Sequence, residues 1–155
     1  MKVWFRVFAA TDAQVEPAAL LEQGSKLGKE ITGKFRGDDQ GWFEAQLAFA
    51  AAEPFVPFLE IDHFLHDEDG IRQELNTWAA WLDTKEEHPE HARLMQQIIG
   101  TRQLFIGRSA SAAGSGAVMR VCWKLQQYLA RETQGIYQVD GRGFFAADGT
   151  LLIPE

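Results

Sequence analysis

The stretch Arg102–Pro154 decides the fold: RQLFIGRSASAAGSGAVMRVCWKLQQYLARETQGIYQVDGRGFFAADGTLLIP. Within it, Val118, Cys122, Leu125 and Leu129 recur at steps of four, three and four residues. This spacing is typical of an amphipathic helix, because it brings the four side chains onto one stripe that can face a core. The stretch therefore predicts one long helix that packs against the rest of the chain.

The limits of this helix, and the turns that follow it, can also be predicted. Ser115 is the candidate N-cap, and Gly135 stands where a left-handed residue is expected to end the helix. The helix is therefore expected over about residues 116–134. Beyond it, Asp140-Gly141 and Asp148-Gly149 are strong turn dipeptides with apolar residues between and after them, which predicts two or three short strands.

Upstream, the sequence alternates between strand and helix signals. Period-two alternation of apolar residues predicts strands, and apolar steps of three and four predict helices. The predicted strands are residues 2–10, 31–36, 42–50 and 55–65, and the predicted helices begin near Pro17, Ile71 and Pro89. Pro54 and Pro57 cannot donate to a sheet ladder, so the strand at 55–65 is expected to lie at an edge or to begin irregularly.

These elements predict one α+β domain over residues 1–155. The expected architecture is a mainly antiparallel sheet with helices packed on one face. The element order also allows two β-α-β-β-like halves, although no residue-level repeat accompanies them. A chain of this length buries about 68–70% of its unfolded surface on folding, so no metal, disulfide or cofactor is predicted to hold it together.

Composition and charge argue against several classes of protein. The formal net charge of −7 argues against nucleic acid as the main partner, since that binding relies on cationic side chains. No run approaches the roughly 20 apolar residues that span a bilayer, so no membrane is predicted. Cys122 is the single cysteine, and the alternating start MKVWFRVFAA is typical of a strand rather than a signal peptide. We therefore expect a cytoplasmic protein of bacterial type.

The four histidines form two H-x-x-H pairs, His63 with His66 and His88 with His91. Imidazole suits borderline metals, and a spacing of three serves a metal when both side chains lie on one helical face. His63 falls at the end of a predicted strand, however, where residues three apart point to opposite faces. The histidines are therefore candidate metal ligands, against an alternative in which they lie at the surface or cap helices.

The loop at residues 107–116 is a candidate anion site. It joins a strand to the long helix, and backbone N–H groups at such a junction can hold an anion. It matches neither common nucleotide-binding glycine motif, and a flexible connection is the alternative interpretation. The candidate ligand-binding residues are Arg102, Arg108, Ser109, Ser111, Ser115 and Gly116.

One segment carries a family resemblance. LARETQGIYQVDGRGFFAADGTLLI resembles the C-terminal part of small uncharacterised bacterial α+β proteins, some of which are similar to toxin-immunity proteins. The resembling segment spans residues 129–153 and includes no catalytic signature. It implies a small accessory or inhibitory protein.

The function that these observations favour is that of a small acidic binding or accessory protein, immunity-like and without catalytic activity, whose partner has a basic surface. The alternative is an enzyme or ligand-binding domain that uses the anion site at 107–116. The expected contact surface includes nine carboxylates: Asp38, Asp39, Glu60, Asp62, Asp67, Glu68, Asp69, Glu86 and Glu87. Trp42, Phe64 and Trp81 are candidate exposed anchors, and a monomer or weak homodimer joined through the 70–85 helix is expected.

Overall fold

A computed structural model describes residues 3–51, 53–109 and 116–155. The helices are α1 (Pro17–Ser25), α2 (Ile71–Asp83), α3 (His91–Ile99) and α4 (Gly116–Glu132). The strands are β1 (Trp4–Ala9), β2 (Ile31–Asp38), β3 (Gly41–Phe49), β4 (Leu59–Leu65), β5 (Gln103–Ser109), β6 (Ile136–Val139), β7 (Gly143–Ala146) and β8 (Leu151–Pro154). Over the described ranges, none of the helices combines the length and hydropathy required to cross a bilayer.

The strands form one sheet in the order β2-β3-β4-β5-β1-β6-β7-β8, and every neighbouring pair is antiparallel. This confirms the predicted α+β class and the antiparallel sheet. The β-α-β-β order occurs twice, as β1-α1-β2-β3 and as β5-α4-β6-β7. The hairpins of the two units are placed differently in the sheet. The β6-β7 hairpin lies directly beside β1, whereas the β2-β3 hairpin is separated from β5 by β4.

The helices cover both faces of the sheet, which corrects the prediction of a single covered face. One apolar cluster joins α1 and α4 to side chains such as Phe5, Val7 and Phe105. A second cluster joins α2 and α3 to Phe8 and Leu104, the neighbours of those residues in the chain. Successive strand residues point to opposite faces, and the central strands are apolar on both, so each face needs its own helical layer.

The long helix ends differently from the prediction. Ser115, the predicted N-cap, lies outside the described residues. At the other end, Gln134 takes the left-handed conformation with φ of 54° that Gly135 was expected to adopt. Gly135 is needed for a different reason: a Cβ built on it would lie 2.3 Å from the backbone oxygen of Phe8. The glycine therefore permits close approach of the chain to β1.

Of the two alternatives predicted for the strand at 55–65, the edge position is wrong and the irregular start is confirmed, since residues 55–57 belong to no strand. Pro54 and Pro57 both precede β4, which begins at Leu59 and pairs with β3 on one side and β5 on the other. The prolines therefore cost the ladder nothing, and the two edges of the sheet are β2 and β8.

The two tryptophans of α2 pack against the second cluster. Trp78 and Trp81 both pack against Phe144, with ring centroids 5.7 and 5.5 Å from it. Phe64, another candidate exposed anchor, packs against the same cluster. Replacing Trp81 would therefore disturb the second cluster as well as any homodimer contact through α2. A monomer or weak homodimer stays a prediction.

Cys122 should be unreactive in the folded protein. Its side chain is 3% exposed, and burial raises the pKa of the thiol to about 12. Because the thiolate is the reactive form, we expect a disulfide reagent at pH 8 to modify native protein at least about a hundredfold more slowly than urea-unfolded protein. Similar rates for the two states would show that the first cluster opens readily around α4.

Candidate functional site

A cleft lies at the end of the sheet where β1, β2 and β4 finish and where β3 and β5 begin. Antiparallel pairing brings these termini together, since Ala9 and Leu65 both pair with Gln103. Three adjoining depressions of about 140, 250 and 380 Å³ open there, and His63 and Gln40 line all three. We refer to this surface as the end cleft.

The floor of the end cleft is tied together through the buried amide of Gln103. Its Nε2 donates to the backbone oxygens of Thr11 and Ala13, at 2.8 and 2.7 Å. Its Oε1 lies 2.7 Å from Nε2 of His63, and Nδ1 of His63 lies 2.7 Å from the backbone oxygen of Trp42. The indole N–H of Trp42 then donates to the backbone oxygen of Val15 at 2.8 Å. Together with the backbone from Ala13 to Val15, these bonds form a closed ring that links β3, β4, β5 and the segment after β1.

His63 is the central side chain of this ring. Its imidazole stacks on Phe105 with centroids 4.4 Å apart and an interplanar angle of 7°, and it also contacts the ring of Trp42. Both ring nitrogens face acceptor oxygens, because two carbonyl partners fix the orientation of the Gln103 amide. The imidazole therefore connects β3 to β5 through both of its ring nitrogens.

One wall of the end cleft is the segment at residues 11–16, which leads from β1 to α1. Asp12, Gln14 and Glu16 from this segment line the depressions. Outside the ring, Arg102 holds Asp12 through two contacts of 3.1 and 3.0 Å. The hydrogen bonds from Arg102 lower the pKa of the Asp12 carboxyl.

The rim of the end cleft is acidic. Three exposed carboxylates from the end of β2 and the segment after β4 line it, namely Asp38, Asp67 and Glu68. Asp39 and Asp69 are exposed carboxylates next to them in the chain. Within the described residues, none of the five forms an ion pair. The edge of the cleft therefore carries an excess of negative charge, and we call these five residues the acidic rim. In the described part of the chain, the cation that acts on the rim carboxylate Asp67 is Arg102, which is itself paired with Asp12.

The other predicted acidic residues lie elsewhere. Glu60 and Asp62 both bond to Arg108 on the opposite face of the sheet from His63. Glu86 and Glu87 lie in the connection between α2 and α3, where they line a separate depression. Five of the nine carboxylates predicted for the contact surface therefore lie at the end cleft or next to it.

The four histidines do not converge. His63 has both nitrogens engaged in the ring, and His66 lines the same cleft with Nδ1 buried and unbonded by any described residue. Nδ1 of His88 accepts from the backbone N–H of Glu90, and Nε2 of His91 lies 3.9 Å from Asp83. No group of three or more histidine, cysteine or acidic side chains within the described ranges is arranged to hold a metal ion.

The candidate anion-binding residues are also separated. Arg102 and Arg108 lie at opposite ends of β5, and each is already paired with carboxylates. The hydroxyl of Ser109 is buried and accepts the backbone N–H of Val3 at 2.9 Å. Gly116 begins α4, while Ser111 and Ser115 lie outside the described residues. In the described part of the chain, both arginines are therefore already paired with carboxylates, which leaves neither for an anion.

Sequence reasoning missed Gln103 and misjudged Trp42. Trp42, a candidate exposed anchor, is only 9% exposed, and its indole N–H is used inside the ring. The sequence contains a signal for Gln103. Alternate residues of a strand share a face, so Gln103 lies on the same face as Phe105, where a polar amide stands among apolar side chains. A buried amide requires partners, which marks the position as one that organises its surroundings.

Comparisons with known proteins add no assignment. No family model, curated protein or solved structure matches the chain. The functional interpretation therefore depends on the geometry and charge of the end cleft.

Proposed function

We propose that this chain is a small acidic binding or accessory protein, immunity-like and cytoplasmic, that acts without catalysis by holding a partner protein at the end cleft. The observation that carries the proposal is the coincidence of the concave surface with the acidic rim. Both occur at the same end of the sheet, although the rim comes from two segments about thirty residues apart in the chain. The partner is expected to present a basic surface.

The cleft offers apolar contact as well as charge. Phe43 is 37% exposed, and it lines the depression of about 140 Å³ together with Leu65 and the rim residues Asp38 and Glu68. Aromatic and aliphatic contacts at the centre of an interface supply much of its affinity, whereas charges at the rim speed association and select the partner. The arrangement suits a protein partner whose basic side chains surround an apolar contact.

A pull-down from native lysate at low and high salt tests the proposal. Exposed charges are screened over about 8 Å at physiological ionic strength, so a partner held through the acidic rim should be recovered in stoichiometric amounts at low salt and much less at high salt. Recovery of no stoichiometric partner at either salt concentration would contradict the proposal.

A further inference from the structure

We infer that Gln103 is a positioning residue that sets the shape of the end cleft by fixing the wall at residues 11–16. This inference deepens the proposed function, on which its consequence for binding depends. The contacts themselves stand without a partner, because they join side chains and backbone groups of this chain.

The wall has little backbone support of its own. At its start, the backbone N–H groups of Ala10 and Thr11 both donate to the oxygen of Thr133. Across the described part of the chain, residues 12–15 form no hydrogen bond from backbone to backbone. Side chains therefore hold the middle of the wall. Gln103 bonds the backbone oxygens of Thr11 and Ala13, Trp42 bonds that of Val15, and at the exposed edge Arg102 pairs with the side chain of Asp12.

The Gln103 amide is suited to this role by its chemistry and its burial. It is 3% exposed, so water cannot replace its partners without opening the cleft. Two donors on one nitrogen satisfy two backbone oxygens of the wall, while its oxygen engages His63 on β4. Glutamine thus connects the wall to the floor. Leucine has no donor for the wall and no acceptor for His63, and a glutamate carboxylate would place an acceptor oxygen against the backbone oxygens of Thr11 and Ala13.

Gln126 supplies a matched control. It is the same residue type, is 1% exposed, and lies on α4 outside the ring. Its Oε1 is buried with no hydrogen-bond partner among the described residues, so Gln126→Leu removes a buried amide without releasing the wall. A comparison of Gln103→Leu with Gln126→Leu therefore separates the effect of the ring from the effect of losing any buried amide.

Hydrogen exchange measured by NMR tests the inference on the isolated protein. Two N–H groups report on the wall: the indole N–H of Trp42 donates to the backbone oxygen of Val15, and the backbone N–H of Ala13 donates to Oγ1 of Thr11. In Gln103→Leu, we expect both to exchange at least about tenfold faster than in the wild type, because the wall that holds their acceptors is released. Amides in β6 and β7 should keep their wild-type rates, and Gln126→Leu should leave Trp42 and Ala13 unchanged. Wild-type exchange at Trp42 and Ala13 in Gln103→Leu would overturn the inference.

Gln103→Glu provides a second variant if Gln103→Leu does not fold. It keeps the side-chain shape and the acceptor toward His63 but loses both donors to the wall. We expect the same local acceleration at Trp42 and Ala13, and slow exchange at both sites would overturn the inference.

Binding to a partner recovered by pull-down should also weaken about tenfold or more in the Gln103 variants and stay unchanged in Gln126→Leu. Faster exchange at the wall with unaltered binding would leave Gln103 fixing the wall but would contradict the end cleft as the binding site.

Discussion

Gly143→Ala is expected to destabilise the protein by about 3 kcal/mol or more, because two independent costs coincide at this position. Gly143 has a backbone φ of 125°, a value that L-residues rarely adopt. A Cβ at this position would also lie 2.1 Å from the backbone oxygen of Ile153 and 2.8 Å from Cα of Pro154. The β7-β8 pair would have to separate where Gly143 faces Pro154. Urea denaturation of both proteins measures the loss.

Gly141→Ala is the matched control for that substitution. Gly141 also has positive φ, at 79°, but a Cβ there would meet nothing within 4 Å. Only the left-handed conformation is then penalised, at about 1–2 kcal/mol. Equal losses of unfolding free energy in the two variants would show that contact between a Cβ at position 143 and β8 adds nothing to the cost of the substitution.

Neutralising the acidic rim is expected to weaken partner binding about 10- to 100-fold at low salt and much less at high salt, because long-range attraction accelerates the encounter. The rim variant replaces its five carboxylates with amides: Asp38→Asn, Asp39→Asn, Asp67→Asn, Glu68→Gln and Asp69→Asn. Asp38 and Glu68 accept backbone N–H groups of Gln40 and Leu65, and the amide oxygens can keep those bonds. The fold should therefore survive, and association and dissociation rates at two salt concentrations measure the effect.

A control variant removes the same number of exposed carboxylates away from the cleft: Glu22→Gln, Glu30→Gln, Glu86→Gln, Glu87→Gln and Glu132→Gln. It has the same net charge as the rim variant, so it separates local attraction from the overall charge. Equal weakening in the two variants would mean that net charge alone, and not the acidic rim, drives association.

Much of the secondary structure could be predicted because it depends on local patterns. The stripe of α4 was read from residue spacing, and the turn dipeptides after it mark the ends of β6 and β7 in the structure. Strand order and the division of helices between two faces could not be read this way. They depend on pairings such as β1 with β5, whose partners lie about a hundred residues apart.

The candidate site was predicted only in part, for the same reason. The rim carboxylates stood out as charge runs, and His63 stood out as a histidine in such a run. The ring could not be anticipated, because Gln103 meets Thr11 and His63 only after β1, β4 and β5 align. Arg108 was assigned to an anion site because it lies in the loop at 107–116, and its carboxylate partners, Glu60 and Asp62, meet it only where β4 pairs with β5.

The end cleft as the binding surface is tested most directly by amide hydrogen exchange with and without the partner recovered by pull-down. We expect protection at residues 38–43 of the β2-β3 hairpin and at residues 63–69 at the end of β4 and beyond it, with little change in the α2-α3 connection at residues 84–90. Protection confined to that connection or to the edge strand β8, with residues 38–43 and 63–69 unchanged, would contradict it.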